Sequence, residues 1–226
     1  MGRRMVREIH GDHHSVDAEG VVDAFGANEG AQRSQLAGQA GEVLGDRCAA
    51  TDAARPVDAH RATRLVAYAG PELLTGEHLL EGFNCGKPAL NEWLIRRAHN
   101  NQASGTSRTW VVIEPASREV VAFYSSVTAS VFRSATPKRM GRNQAEEMPA
   151  ILLARMAVDS RQKGQGLGAA LLKHFMLKAL EVAQSVGVRV LLIHAKDEEA
   201  KSFYIHFGFV ESPFDPFVLV MLLTDV

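Results

Sequence analysis

The apolar positions of the chain change from scattered to periodic at about residue 64. Before that point the sequence is rich in Gly, Ala, Asp, Glu and Gln, and its few Val and Leu residues follow neither alternation nor helical spacing. A segment of this kind buries too little apolar surface to offset the chain entropy lost on folding. We therefore expect a low-order, disordered N-terminal extension over residues 1–62 and one folded domain over residues 63–226.

The periodic part of the chain predicts alternating strands and helices. Gly70 and Pro71 indicate a turn near its start, and the polar stretch 133–148 indicates a loop. Apolar residues spaced by three and four favour helices, and runs of Val, Phe, Tyr and Thr favour strands. The expected elements are a helix over 88–101, a hairpin of strands over 108–114 and 120–131, a strand over 151–158, a helix over 167–186, a strand over 188–194, a helix over 198–207 and a strand over 217–222. This order predicts an α+β fold, a three-layer αβα arrangement around one mixed sheet.

The composition argues against several kinds of protein. The formal net charge of −1 and the pI of about 6.8 argue against polyanion binding by the whole surface, although basic residues can still gather on one face. Cys48 and Cys85 lack the spacing of a disulfide framework or a zinc site, which fits a reducing cytoplasm. No apolar run approaches the roughly 18 residues of a membrane span, and no signal-peptide pattern opens the chain. We expect a cytoplasmic protein with no membrane partner.

Three histidines near the N-terminus, His10, His13 and His14, suggest a metal site. No carboxylate or cysteine accompanies them at a defined ligand spacing. A flexible tail is the better interpretation of this cluster, and we expect no metal.

A glycine-bearing turn joins the strand 151–158 to the helix that begins near Leu167. Unpaired N–H groups and the positive end of a helix dipole form an anion site there, and glycines let a pyrophosphate approach closely. Gly164, Gly166 and Ala169 also fit the loose dinucleotide-binding pattern. That pattern needs an acidic residue about 20 positions on and a larger parallel sheet, and the chain has neither. A Walker A loop is excluded because no Gly-Lys-Ser/Thr follows.

Three segments, 153–159, 161–168 and 200–209, resemble the successive core motifs of the GNAT acetyltransferase superfamily. The resemblance implies that acetyl-CoA is bound, with its thioester between the strands 151–158 and 188–194. It implies that the main chain of the strand holds the pantetheine arm, at Met156 and Val158. It also implies that main-chain amides of the turn hold the pyrophosphate, at Lys163, Gly164, Gly166, Leu167 and Gly168.

Within the superfamily, segments 85–94, 101–109 and 194–200 are similar to the GNAT toxins of bacterial toxin–antitoxin pairs. One departure from the wider superfamily is Lys196-Asp197, where many members carry Asn. The similarity implies acetylation of the amino group of aminoacyl-tRNA, a homodimer, and a small DNA-binding antitoxin as partner. The alternatives are an acetyltransferase that acts on a small-molecule amine or a protein amino group, and a non-catalytic acyl-CoA-binding module.

Acetyl transfer from a thioester to an amine needs a proton for the departing thiolate. The resemblance favours Tyr204 for this role, since a phenol with an ordinary pKa near 10 is protonated at neutral pH. The alternative interpretation is a core tyrosine beside Phe203 and Phe207. His194 and Glu198 are candidates for a general base by position only, so no base is assigned.

Basic residues outnumber acidic ones across the middle of the chain. Such a cluster can neutralise tRNA phosphates, whereas composition alone favours an ordinary solvated face. The toxin resemblance favours tRNA. Arg96 and Arg97, on the polar face of the helix that begins near Pro88, and Arg108, which opens a strand, are the expected contacts.

Overall fold

A computed structural model describes residues 68–226. The expected extension 1–62 and the domain boundary at 63 therefore lie outside the described residues. Cys48 and the three N-terminal histidines also lie outside them, and the predictions made for these residues stay predictions.

One mixed sheet of seven strands forms the centre of the described chain, in the order β1-β2-β3-β4-β5-β7-β6. Only the β4–β5 pair is parallel, and the other neighbouring strands are antiparallel. The strands are β1 Ala69–Leu73, β2 Arg108–Ile113, β3 Val120–Phe132, β4 Glu147–Val158, β5 Val190–His194, β6 Val210–Glu211 and β7 Val218–Leu222. The predicted mixed sheet is confirmed.

Helices cover both faces of the sheet. They are α1 Pro88–Arg96, α2 Ala98–Ala103, α3 Lys138–Gly141, α4 Leu167–Ala183 and α5 Glu198–His206. Side chains alternate along β5, so Leu191 and Ile193 pack in one core cluster with α4 and α5, while Leu192 packs in another with Met140 of α3. A third cluster joins α1 and α2 to the same face as α3. The three-layer αβα arrangement is confirmed.

Several boundaries differ from the sequence-based expectations. Gly70 and Pro71 lie inside β1 rather than in a turn, because an edge strand tolerates proline and the β1–β2 register shifts beside it. The helix expected over 88–101 is divided, since the backbone leaves helical geometry at Arg97. The region expected to be a loop includes α3 and the start of β4, where Pro149 still accepts a hydrogen bond from the N–H of Arg189 at 3.0 Å. The short strand β6 was not predicted.

The parallel β4–β5 pairing is short. It runs from Ala150 opposite Val190 to Leu153 opposite Ile193, although β4 continues to Val158. Directly beyond that pairing the β3–β4 register shifts, which leaves Ala154 as an extra residue in β4. A β-bulge of this kind bends its strand. Two diverging strands therefore form an opening between residues 154–158 and the end of β5, which we call the fork.

Asp159 anchors the chain where β4 ends at the fork. The side chain is fully buried, and its carboxylate accepts hydrogen bonds from the N–H of Asn84 and from the N–H and guanidinium of Arg161, at 2.9 to 3.0 Å. Burial acts to raise the pKa of Asp159, but these hydrogen bonds and the charge of Arg161 outweigh it and hold the pKa below its ordinary value of 3.8. The ionised carboxylate fixes the start of the glycine turn.

We expect Asp159→Ala to lower the free energy of unfolding at neutral pH by about 2 to 3 kcal/mol, because it removes a buried carboxylate that accepts four hydrogen bonds, two of them from the charged guanidinium of Arg161. A carboxyl with a lowered folded-state pKa stabilises the fold above its unfolded pKa and loses that effect as the pH falls through the folded value. Urea denaturation should therefore show that the difference from the wild type shrinks only as the pH falls below 3.8.

The matched control is Asp225→Ala, since the pair between Asp225 and Arg139 is 3.5 Å long and largely exposed. We expect a change below about 0.5 kcal/mol for this variant. Equal effects of the two substitutions would contradict the assignment of Asp159 as an anchor.

Candidate active site

The glycine turn follows Asp159 and has two residues in the left-handed conformation. Gly164 has a φ of +76° and Gly166 a φ of +77°. A Cβ atom built at either position would meet no atom within 4 Å. The backbone conformation therefore requires glycine here, while the space beside it stays open for a ligand to approach.

The N-terminus of α4 presents unpaired donors at this turn. The first hydrogen bond within the helix runs from the N–H of Ala170 to the oxygen of Gly166, at 3.1 Å. The N–H groups of Leu167 and Gly168 precede that ladder and lie at the positive end of a 17-residue helix. The fold thus brings the predicted Gly164, Gly166, Leu167 and Gly168 together in one segment whose N–H donors suit an anion, directly after the extended Lys163.

Tyr68, the first residue of the described chain, contacts side chains of the same turn. Its hydroxyl lies 2.6 Å from the side-chain oxygens of both Gln162 and Gln165. The amide of Gln165 also donates to the oxygen of Gln162 at 2.8 Å. Sequence reasoning missed Tyr68, because nothing local to it indicates partners more than 90 positions away.

The fork adjoins the glycine turn. Met156 and Val158 lie on β4 beyond its last pair with β5, and their side chains pack in the core cluster that also contains Tyr204. Past residue 153, the edge of β4 that faces β5 therefore has no partner strand within the described chain, and β4 leads directly into the glycine turn. A long ligand with an anionic group could lie along this strand.

Tyr204 of α5 is fully buried. Its ring packs edge-on against Phe203 and Phe209, as expected of a core tyrosine. Its hydroxyl, however, has no hydrogen-bond partner within residues 68–226. Burial, and secondarily the charge of Asp197, raises the pKa of Tyr204 well above 10, so the phenol keeps its proton at neutral pH.

His194 is the last residue of β5, one position beyond the final β4–β5 pair. Its Nε2 atom is buried and has no hydrogen-bond partner among the described residues. Burial lowers the pKa of His194, against an opposing effect of Asp215. The other candidate base, Glu198, has a side chain that is 73% exposed and lies 3.6 Å from the ammonium of Lys201.

Known proteins that are similar to this chain identify its family. Residues 105–211 match the acetyltransferase (GNAT) domain family. A tRNA-acetylating toxin of Mycobacterium tuberculosis (strain ATCC 25618 / H37Rv) is 37% identical over 158 residues, which are 70% of this chain and 94% of that protein. The chain belongs to the GNAT acetyltransferase family. It is therefore an acetyltransferase, and the expected family membership and enzyme class are confirmed.

Solved structures of the GNAT family share this fold. AtaT complexed with acetyl-methionyl-tRNAfMet has a TM-score of 0.67 and 25% identity, covering 70% of this chain and 96% of that one. AtaTR bound with AcCoA has a TM-score of 0.60 and 25% identity, covering 70% and 95%. The likeness extends over most of the described residues.

Of the three arginines expected to contact tRNA, Arg96 and Arg97 lie at the end of α1, and Arg108 opens β2 and contacts α2 through Gln102. All three are exposed. Arg96 lies 3.2 Å from Glu92, and the guanidinium of Arg108 donates to the carbonyl oxygens of Gln102 and Ser107. A further cation that sequence reasoning missed is Arg155 on the bulge of β4, whose guanidinium carbon lies 4.4 Å from the ring centroid of Trp93.

Neither a three-residue metal cluster nor a membrane-spanning helix is present in the described GNAT domain. Within residues 68–226, no group of three His, Cys, Asp or Glu side chains is arranged to hold a metal ion. No helix in the same part of the chain has the length and apolar character needed to cross a membrane.

Two buried tyrosines of this domain allow a matched test. Tyr204→Phe removes a hydroxyl with no partner, so we expect the free energy of unfolding to stay equal or to rise by up to about 1 kcal/mol. Tyr124→Phe removes a hydroxyl that lies 2.9 Å from Nδ1 of His174, so we expect a loss of about 1 kcal/mol. Urea denaturation measures both. A larger loss for Tyr204→Phe than for Tyr124→Phe would contradict the unsatisfied state of the Tyr204 hydroxyl.

Proposed function

We propose that this enzyme transfers the acetyl group of acetyl-CoA to the amino group of an aminoacyl-tRNA and so acts as a translation-blocking toxin. The observation that carries the chemistry is the fork, with an anion-binding turn at one end and the unpartnered Tyr204 hydroxyl beside it. The choice of acceptor is supported by the relative named a tRNA-acetylating toxin, which this chain matches over 94% of its length. The solved structure of AtaT complexed with acetyl-methionyl-tRNAfMet also supports it.

Acetyl-CoA fits the open segment of the chain. A pyrophosphate would take the main-chain N–H groups of Lys163, Gly164, Gly166, Leu167 and Gly168, at the positive helix end. The pantetheine arm would pair with the main chain of Met156 and Val158, which β5 leaves unpaired. The neighbour bound with AcCoA supports this assignment, and the open space beside both glycines permits it.

Tyr204 is the proposed catalytic acid. Its burial keeps the phenol protonated, and its hydroxyl has no competing partner in the described chain, so its proton can be given to the departing CoA thiolate. A main-chain N–H of the fork, at Met156 or Val158, would stabilise the negative charge that develops on the carbonyl oxygen.

The proposed partners follow from the acceptor. Arg96, Arg97 and Arg108 would neutralise tRNA phosphates from the α1–α2 side. A cytoplasmic homodimer, held inactive by a small DNA-binding antitoxin, completes the proposal. What supports these features is the resemblance of segments 85–94, 101–109 and 194–200 to the GNAT toxins of toxin–antitoxin pairs.

The function is tested by offering the purified protein radiolabelled acetyl-CoA with charged tRNA, uncharged tRNA, a polyamine or a lysine peptide. We expect labelled product and thiol release with charged tRNA alone, and at least a 100-fold lower rate for Tyr204→Phe. A polyamine or peptide acetylated with equal or higher kcat/KM would replace the tRNA proposal with one of these acceptors. A rate for Tyr204→Phe within threefold of the wild type would refute the assignment of Tyr204 as the catalytic acid.

Charge reversal tests the proposed tRNA contacts. In Arg96→Glu/Arg97→Glu and in Arg108→Glu we expect KM for charged tRNA to rise at least tenfold at physiological salt, with a shallower salt dependence. The KM for acetyl-CoA should not change. Lys173→Glu is the control, since Lys173 is an exposed cation on α4, in the opposite layer. If the arginine variants behaved like this control, the α1–α2 side would not be the tRNA surface.

A further inference from the structure

Two polar atoms without hydrogen-bond partners, His194 Nε2 and Tyr204 Oη, flank the fork. Within residues 68–226, four buried side-chain atoms have no hydrogen-bond partner: Ser107 Oγ, Arg189 Nε, His194 Nε2 and Tyr204 Oη. Buried polar atoms are nearly always satisfied, so an exception suggests a group that another molecule completes. We propose that His194 is the general base that takes a proton from the acceptor amine. The proposal rests on the proposed function, because it assumes an amine acceptor at the fork.

The two atoms belong to opposite faces of the sheet. Ile193 packs in the core cluster that contains Tyr204, and Leu192 packs in the cluster on the other face. Because side chains alternate along a strand, His194 lies on the same face as Leu192. Ala154, the extra residue of the β4 bulge, packs against that second cluster too. Acid and base are thus available on the two sides of one opening.

The surroundings of His194 keep it neutral. Burial lowers the pKa of its imidazole, and Asp215, from the turn between β6 and β7, opposes this only in part. On β4, Arg155 is the charged residue on the same face, where its guanidinium lies over Trp93. Glu198 belongs to α5, in the opposite layer, and its carboxylate faces Lys201. In the tautomer that carries its proton on Nδ1, a neutral imidazole has a lone pair on Nε2 that can accept a proton at pH 7.

In the proposed reaction His194 removes one of the two protons that the acceptor ammonium loses. The Nε2 lone pair takes one proton from the acceptor ammonium and later releases it to solvent. The freed nitrogen lone pair forms the N–C bond at the thioester carbonyl, and the C–S bond breaks as the carbonyl re-forms. Tyr204 gives its proton to the sulfur, and the second proton lost from nitrogen restores the phenol. The products are the N-acetylated acceptor, the CoA thiol and one proton.

His194→Gln tests the proposal in the full-length enzyme. We expect kcat/KM at pH 7 to fall about 100-fold, with the Kd for acetyl-CoA unchanged. The deficit should narrow as the pH rises through the pKa of an α-amino group, roughly 7.7 to 8.0, because the amine then loses its proton without help. His194→Ala should regain at least tenfold of its rate with added imidazole. Glu198→Gln is the control and should match the wild type.

Three outcomes would overturn the assignment. They are a His194→Gln rate within threefold of the wild type, a deficit that does not change with pH, and a loss of acetyl-CoA binding, which would show a structural role. The acceptor proposal is tested separately, by the wild-type rate on charged tRNA. If the wild type instead acetylates another amine, the ratio of variant to wild-type rate is measured on that amine.

Discussion

Beyond Leu153 and Ile193, β4 and β5 no longer exchange main-chain hydrogen bonds, and this interruption shapes the rest of the site. A parallel pair buried between two helical layers would ordinarily stay paired along its length. Here the bulge at Ala154 bends β4, and the buried Asp159 fixes its end through Asn84 and Arg161. An unpaired strand edge is costly inside a protein unless water or a ligand satisfies it, so the fork is the part of β4 that a bound ligand can complete.

The same physical rule applies to each part of the site. The N-terminus of α4, the edge of β4, the Tyr204 hydroxyl and the His194 imidazole all have hydrogen-bonding capacity that the described chain does not use. A fold that satisfies nearly all its other buried groups leaves these open along one continuous path. Acetyl-CoA has a pyrophosphate, an amide-bearing arm and a thioester in the order that this path requires. The proposed catalytic acid is therefore a group whose hydrogen-bonding capacity the described chain leaves unused, as the contrast between Tyr204 and Tyr124 illustrates.

Local patterns in the sequence were sufficient to predict one mixed sheet, the helices α4 and α5 and the glycine turn. Gly164 and Gly166 could be predicted because a left-handed backbone before a helix leaves few alternatives. The division at Arg97 and the strand position of Pro71 could not, since packing decides both. Tyr68 and Arg155 were missed because each acts through a partner distant in sequence. The proposal of His194 rather than Glu198 needed the structure, since the buried, unpartnered Nε2 of His194 and the exposed carboxylate of Glu198 beside Lys201 separate them.

Amide hydrogen exchange with and without acetyl-CoA tests the role of the fork most directly. We expect new protection at the amides of residues 156–158 and 164–168. Little change is expected at residues 150–153, which β5 already pairs. Protection that omits residues 156–158, or that appears along the whole of β4, would contradict the claim that the unpaired edge of the fork is where acetyl-CoA binds.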